Sequence, residues 1–350
     1  MSKPVVKANP KPVVGDESVT LSEAKALITS LARDHSILLL SPPGIGKSQI
    51  VQQAAADAGL PCRSLLGTQI APEDVSGIPR IVGERSVFCP PRILLPETPE
   101  PFCLFLDELP ACAPDVQKAF YSLLLERRLG EHPLPEGTWV VAAGNRAQDR
   151  ALVRALSSAL INRVFLLHVR VDAHEWLAWA QANGVHGDVI AFIAFMPEAL
   201  MRPVPSEPIA FSTPRAWTAL SSALRLAEKA GICGRTQRRA LAFGRVSSQD
   251  AEVFCAMAEA RLGDLRPPLD YITNPGLLPK DDTALWFVLS GIRGLVTRGE
   301  VEVSSGAINR FLLKLTPEHR FVLLVGLIDA WGQLGAEEAM LASLKEVTGL

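Results

Sequence analysis

The run Ser41-Pro42-Pro43-Gly44-Ile45-Gly46-Lys47-Ser48 follows a short apolar stretch, Ile37–Leu40, and precedes a helix-like one, Gln49–Ala58. A strand that stops at a glycine-containing turn and enters a helix through Lys-Ser is the arrangement of a phosphate-binding loop. Glycines let backbone N–H groups close around phosphate oxygens, and the helix that follows offers its positive N-terminal end. Pro43, Gly44, Ile45, Gly46, Lys47, Ser48 and Gln49 are therefore the expected nucleotide-binding residues. Lys47 would reach the outer phosphates, and the Ser48 hydroxyl would ligate Mg²⁺. Ser41 stands where the general pattern begins with glycine. The four residues that must approach phosphate most closely, Gly44, Gly46, Lys47 and Ser48, are intact.

A chain of 350 residues suits two domains, or three small ones. Its net charge of −2 lends no support to a bulk nucleic-acid binder, which carries a basic excess. No stretch reaches the ~20 apolar residues of a membrane span; the best, Phe321–Trp331, is short and contains Asp329. Met1–Val14 is rich in Pro, Val and Lys and reads as a disordered tail rather than a signal peptide. The six cysteines show no C-x-x-C spacing, and several lie in apolar runs, the pattern of reduced, buried thiols in a cytoplasmic protein. His174-Glu175 opens like a zinc-protease helix, but Ala178 occupies the place of the second histidine.

Thr20-Leu21-Ser22-Glu23 is a capping box that opens a helix through Ala32. Strands are predicted over Ser36–Leu40, Cys62–Leu66, Phe102–Leu106, Thr138–Ala143 and Val164–Val171. A helix starts at Pro114 and is expected to stop at Gly130, and Gly67–Leu95 reads as loop-rich, with Ser86–Cys89 a hairpin arm. Strands alternating with helices predict an α/β domain with a parallel sheet covered on both faces. From Asp172 the chain turns to helices with Pro-rich joints: His174–Ala182, Val189–Phe195, Pro214–Lys229, Ser248–Ala260, Thr283–Val296, Ala307–Leu315 and Glu318–Leu334. A softer joint lies in Gly263–Pro279. The expected organisation is a tail over 1–17, an α/β core over 18–172, a helical lid over 173–262 and a helical extension over 263–350.

In an open α/β sheet, ligands bind beyond the carboxyl ends of the strands. Three predicted strands end in polar groups: the Ser41–Ser48 loop, Asp107-Glu108, and Asn145. Asp107 would hold Mg²⁺ directly or through water. Glu108 would orient and deprotonate an attacking water. Asn145 would position that water or touch the γ-phosphate. Two acids ending a strand of five apolar residues are hard to explain as ordinary solvated charge.

Together these residues resemble the AAA+ ATPases. Phe105-Leu106-Asp107-Glu108-Leu109, the helix Pro114–Arg127, the run Leu134–Asn145 and Ala159-Leu160-Ile161-Asn162-Arg163-Val164 are similar to the MoxR branch of that superfamily. The likeness continues through Trp176-Leu177-Ala178-Trp179-Ala180 and Ser212-Thr213-Pro214-Arg215-Ala216-Trp217, and so covers about residues 20 to 260. It implies an AAA+ αβα nucleotide-binding domain with an all-helical lid, ATP and Mg²⁺ as ligands, and a hexameric ring. It further implies that Arg163 is an arginine finger acting on the neighbouring subunit's nucleotide, and that Arg215 is a sensor arginine on its own subunit's γ-phosphate. An arginine finger is worth roughly 10³–10⁵ in rate. Asn162 and Val164 stand where the branch usually has Asp and Phe; Arg150 and Arg154 are alternative fingers.

The resemblance also implies a chaperone-like role on a protein partner carrying a von Willebrand A-type domain. Gly67–Leu95 falls where such proteins present loops to a substrate. Its only aromatic residue is Phe88, which favours remodelling or clamping a folded partner over threading; a plain surface hairpin is the other reading. The Trp286-Phe287 helix is either a partner face or ordinary core. Two other functions fit parts of the sequence. An assembly scaffold would bind ATP with little turnover, against which stand Glu108, Asn145 and Arg163. A nucleic-acid motor would need a basic, aromatic-interleaved surface, and the one dense basic cluster, Arg235-Thr236-Gln237-Arg238-Arg239, reads as a solvated helix face.

Overall fold

The structure is a computed structural model that describes residues 17–95, 100–129, 132–146, 149, 156 and 158–348. The expected N-terminal tail lies outside the described residues except for Glu17, as do Gly130 and the alternative fingers Arg150 and Arg154. The chain divides into two compact units, Met1–Asp172 and Ala173–Leu350.

The first unit is a parallel sheet with helices on both faces. In chain order its elements are β1 (Ser18–Val19), α1 (Leu21–Leu31), β2 (Ile37–Ser41), α2 (Lys47–Asp57), β3 (Cys62–Leu66), α3 (Pro72–Ser76), β4 (Ile78–Val82), β5 (Arg85–Cys89), β6 (Cys103–Asp107), α4 (Pro114–Glu126), β7 (Arg128–Leu129), β8 (His132–Pro133), β9 (Trp139–Asn145), α5 (Ser158–Ile161) and β10 (Phe165–Val169). Six strands pair in the order β1-β10-β2-β9-β6-β3, and every pair is parallel. Alternation along the strands assigns the two faces. Leu38, Leu104, Leu106, Val140 and Ala142 share a core with Val116, Phe120, Leu123 and Leu124 of α4. Ile37, Leu39, Phe105 and Val141, on the other face, are also fully buried, and α1 and α2 pack against that side. Strands buried on both faces must read as continuous apolar runs, as β2 and β6 do.

Local chemistry sets the ends. Thr20 Oγ1 accepts from Glu23 N while the Glu23 carboxylate accepts from Thr20 N, the reciprocal cap that starts α1. α4 stops at Glu126, well before Gly130. Arg127 takes a left-handed conformation (φ 52°) while its guanidinium bonds to the carbonyls of Ala32, Arg33 and Thr138. Those bonds satisfy the carboxyl end of α1 and tie α4 to the sheet; burial of the guanidinium lowers its pKa.

Three further expectations change. The stretch 67–95 is mostly ordered: a 3₁₀ turn at Gly67–Gln69, α3, and an antiparallel hairpin of β4 and β5 in register from Ile78↔Cys89 to Val82↔Arg85. β1 adds a short sixth strand at the sheet edge. The predicted helix Glu318–Leu334 is two helices, because the chain turns at Gly326 (φ 75°).

The second unit is helical: α6 (Ala173–Ala182), α7 (Gly187–Phe195), α8 (Pro214–Lys229), α9 (Arg235–Phe243), α10 (Ser248–Glu259), α11 (Pro268–Thr273), α12 (Asp282–Arg298), α13 (Ser305–Lys314), α14 (Pro317–Leu324), α15 (Ile328–Gln333) and α16 (Glu337–Thr348). Phe192, Trp217 and Phe254 meet at ring centroid distances of 5.1 to 5.8 Å and knit α7, α8 and α10. Asp250 is 1% exposed and accepts from Arg202, Ser212 and Ser247, so this buried charge is fully paired. α11 packs on α12 and α13, and α16 on α13 and α14. Trp286 is half-buried against His319 (4.8 Å between centroids), the core-like reading of that helix. No described helix is long and apolar enough to cross a membrane.

Candidate nucleotide site

The parallel register brings the three polar strand ends to one edge. Ser41 of β2 lies opposite Asn145 of β9, and Leu66 of β3 lies opposite Asp107 of β6. The loop after β2 turns through Gly44 (φ 79°) and Gly46 (φ 113°), conformations that side-chain-bearing residues rarely adopt. Gly46 is the N-cap of α2, so Lys47 and Ser48 occupy the first turn and the free N–H groups of that turn face the loop. Ile45 is buried beneath the loop, Pro43 is half-buried, and Gln49 is exposed on the first turn of α2.

Lys47 is 8% exposed, yet its ammonium is well satisfied. It donates to Ser41 Oγ at 2.8 Å, to Asn145 Oδ1 at 3.2 Å, and to the carbonyls of Pro42 at 3.2 Å and Ser41 at 3.4 Å. Ser48 Oγ donates to Asp107 Oδ2 at 2.7 Å. A hydroxyl and a carboxylate in contact beside a nest of N–H groups form the hard-oxygen set that Mg²⁺ takes together with phosphate and water. These residues fit an Mg–nucleotide complex.

Glu108 is in the left-handed region (φ 58°), a rare conformation for a residue with a side chain. Its backbone N–H donates to Asp107 Oδ1 at 3.0 Å, and its carboxylate accepts from Thr68 Oγ1 at 3.0 Å. The turn Leu109–Ala111 that follows is seated directly on β9. A Cβ built on Gly144 would lie 2.2 Å from Pro110 Cδ, so only glycine fits there. Beyond Asn145, Arg146 grips Asp149 through Nε at 2.9 Å and a terminal nitrogen at 2.8 Å, and Asp149 is 7% exposed. This clamp holds the chain where it leaves the sheet.

Lys47, Ser48, Asp107, Glu108 and Asn145 thus converge at one edge, linked by the contacts above. Arg163 lies elsewhere in the first unit, exposed in the turn after α5, where its N–H donates to the Leu160 carbonyl. Arg215 belongs to the second unit and is exposed in the first turn of α8, whose N-cap Thr213 accepts from Ala216 N. Sequence reasoning missed Thr68, the Ser41 hydroxyl on Lys47, and the Arg146–Asp149 clamp. Only Ser41 left a signal, as the departure from glycine at the head of the loop.

The family model of the AAA domain (dynein-related subfamily) matches residues 36–170. A search of the curated proteins found no match. Among solved structures, the Thermotoga maritima RuvB Holliday junction branch migration motor is similar at 16% identity, over 90% of this chain and 87% of that chain, with a TM-score of 0.40. A point mutant of the same RuvB gives 16% identity and a TM-score of 0.41 over the same shares. NtrX from Brucella abortus gives 12% identity over 96% of this chain and 69% of that chain, with a TM-score of 0.39. The matched segment runs from Ser36 before the phosphate loop to Arg170 after the last strand, and so holds the whole site. Residues 36–170 match an AAA domain, and the chain carries an ATPase of the AAA+ fold.

Proposed function

We propose that this ATPase is of the MoxR type and uses Mg²⁺-dependent ATP hydrolysis, in a ring, to remodel or activate a protein partner. The observation that carries the reading is the convergence of Lys47, Ser48, Asp107, Glu108 and Asn145 on one sheet edge, joined with an arginine, Arg163, left exposed outside that cluster. Loop N–H groups and Lys47 bind the phosphates. Ser48 and Asp107 would hold Mg²⁺, which would supply charge neutralisation to the phosphoryl oxygens. Glu108 takes the proton of the attacking water, and Asn145 orients that water. Lys47 already touches Asn145 Oδ1, so binding and positioning groups share one hydrogen-bonded set.

An exposed finger acting in trans supports a head-to-tail assembly, since a heterologous contact either closes into a ring or runs on as a filament. The proposed organisation is a tail over 1–17, the ATPase core over 18–172, a lid over 173–262 carrying Arg215, and an extension over 263–350. Arg215 on the γ-phosphate would make the lid respond to nucleotide state. The exposed β4–β5 hairpin supports a contact with a folded partner, for which a von Willebrand A-type domain is the proposed class.

The test is ATP turnover per subunit against protein concentration, with particle size measured alongside. A rate that climbs from near zero to a plateau as particles form supports sites completed between subunits. Full activity in monomers would refute it. Nucleotide binding without turnover at every concentration would favour the scaffold reading, and strong salt-dependent duplex binding the nucleic-acid motor.

A further inference from the structure

Cys62 opens β3 and Cys103 opens β6, and the two residues face each other directly in the parallel register. Partners in a parallel ladder point to the same face, and adjacent strands run about 4.8 Å apart. Disulfides span Cα separations of about 4.4 to 6.8 Å, so the ladder itself sets this pair within bonding range. The two thiols are near enough for each to perturb the other's titration. Their surroundings differ: Cys103 is fully buried, whereas Cys62 is half-buried. Interaction with the Cys103 thiol, and more weakly with Ser64, favours the Cys62 thiolate and brings its pKa down to about 7. Interaction with the Cys62 sulfur, then burial, then the charge of that neighbouring thiolate push the Cys103 thiol up. A half-buried cysteine whose thiolate is favoured therefore sits opposite a fully buried one, the division of labour of an attacking and a resolving cysteine.

We infer that Cys62 and Cys103 form a reversible redox pair, with hydrogen peroxide as oxidant and a small thiol as reductant. The Cys62 thiolate attacks peroxide; the O–O bond breaks, an S–O bond forms, and hydroxide leaves to be protonated. The Cys103 sulfur then attacks the Cys62 sulfenic acid; an S–S bond forms, the S–O bond breaks, and the Cys103 proton leaves with the hydroxyl as water. Two thiols lose two electrons to one peroxide, giving two waters in all. A small thiol reverses the step by exchange through a mixed disulfide. The pair lies at the opposite end of β6 from Asp107, about 13 Å along the strand, so it is separate from the nucleotide site.

The experiment treats the reduced full-length protein with hydrogen peroxide, alkylates remaining thiols under denaturing conditions, and sequences tryptic peptides by mass spectrometry. The expected product joins peptides 48–63 and 93–118, lighter than their sum by two hydrogens, and separates on adding dithiothreitol. Fragment ions must assign the bond to Cys103 and not to Cys112, which lies in the same peptide. The link is expected to vanish in Cys62→Ser and to persist in Cys112→Ser. Cys62 carried to sulfinic acid, or left alkylatable, while Cys103 remains a free thiol would overturn the inference. So would a bond assigned to Cys112.

Discussion

The first unit builds two kinds of β-structure from similarly apolar sequence. β2, β6 and β9 are buried on both faces and lead into the site through the loop to Lys47, Asp107-Glu108 and Asn145. The β4–β5 hairpin has a regular ladder too, but Ile78 is 70% and Ile81 81% exposed, with Val82 and Phe88 also outside. In the sheet, apolar side chains are held in place by neighbours, and that packing fixes polar strand ends to within a hydrogen bond. An isolated two-stranded ladder is marginally stable, and its exposed isoleucines add nothing to a core. The comparison separates residues that serve geometry from residues available for contact. On the proposed reading, rigid burial serves the chemistry and exposed apolar surface serves recognition.

The sharpest way to break this comparison is Arg163→Ala. If Arg163 completes a neighbouring site, turnover should fall about 10³-fold or more with nucleotide affinity largely kept. Mixing this variant with Glu108→Gln subunits should restore some activity, because each supplies what the other lacks; no recovery in assembled mixtures would count against action in trans. Glu108→Gln alone should lower turnover by roughly 10²–10⁴-fold while equilibrium binding of ATP persists. Retained hydrolysis would remove Glu108 from the reaction.

Phe120→Ala tests the buried half directly. Deleting this fully buried ring beneath the sheet should cost about 3–5 kcal/mol in denaturant unfolding. Ile81→Ser on the hairpin should move stability by no more than about 0.5 kcal/mol. Basal turnover should not change, whereas stimulation by a partner should be lost. A large stability loss there would make the hairpin part of the fold and erase the contrast. Thr68→Val sits between the two regions. It should change turnover by a factor of about ten or less, the worth of one solvent-exposed hydrogen bond, with the melting temperature nearly unchanged.

Much of the buried half was legible because its physics is local. An apolar run of five, a capping box or a glycine turn leaves its mark within a few residues. β2, β3, β6 and α8 accordingly lie within one or two residues of where the pattern puts them, and Lys47, Ser48, Asp107 and Asn145 lie together at their ends. What escaped reading depends on partners far away in sequence. Nothing near Arg127 announces that carbonyls of Ala32 and Thr138 will hold it in a left-handed turn and stop α4 early. Nothing near Thr68 points to Glu108, forty residues on. β1 is two residues long and exists only because β10 offers it an edge. The first hairpin strand hid behind Pro79, a residue tolerated there because the hairpin has two open edges.

The contact between Gly144 and Pro110 has a consequence for heat. With no clearance between the turn after Glu108 and the backbone of β9, neither strand end can fluctuate without carrying the other. Warming should therefore loosen the carboxylate and the Asn145 amide together, keeping their separation while the open hairpin frays first. Amide hydrogens of Ala111, Cys112 and Asn145 should exchange as one late cooperative group, well after those of Ile81 and Val87.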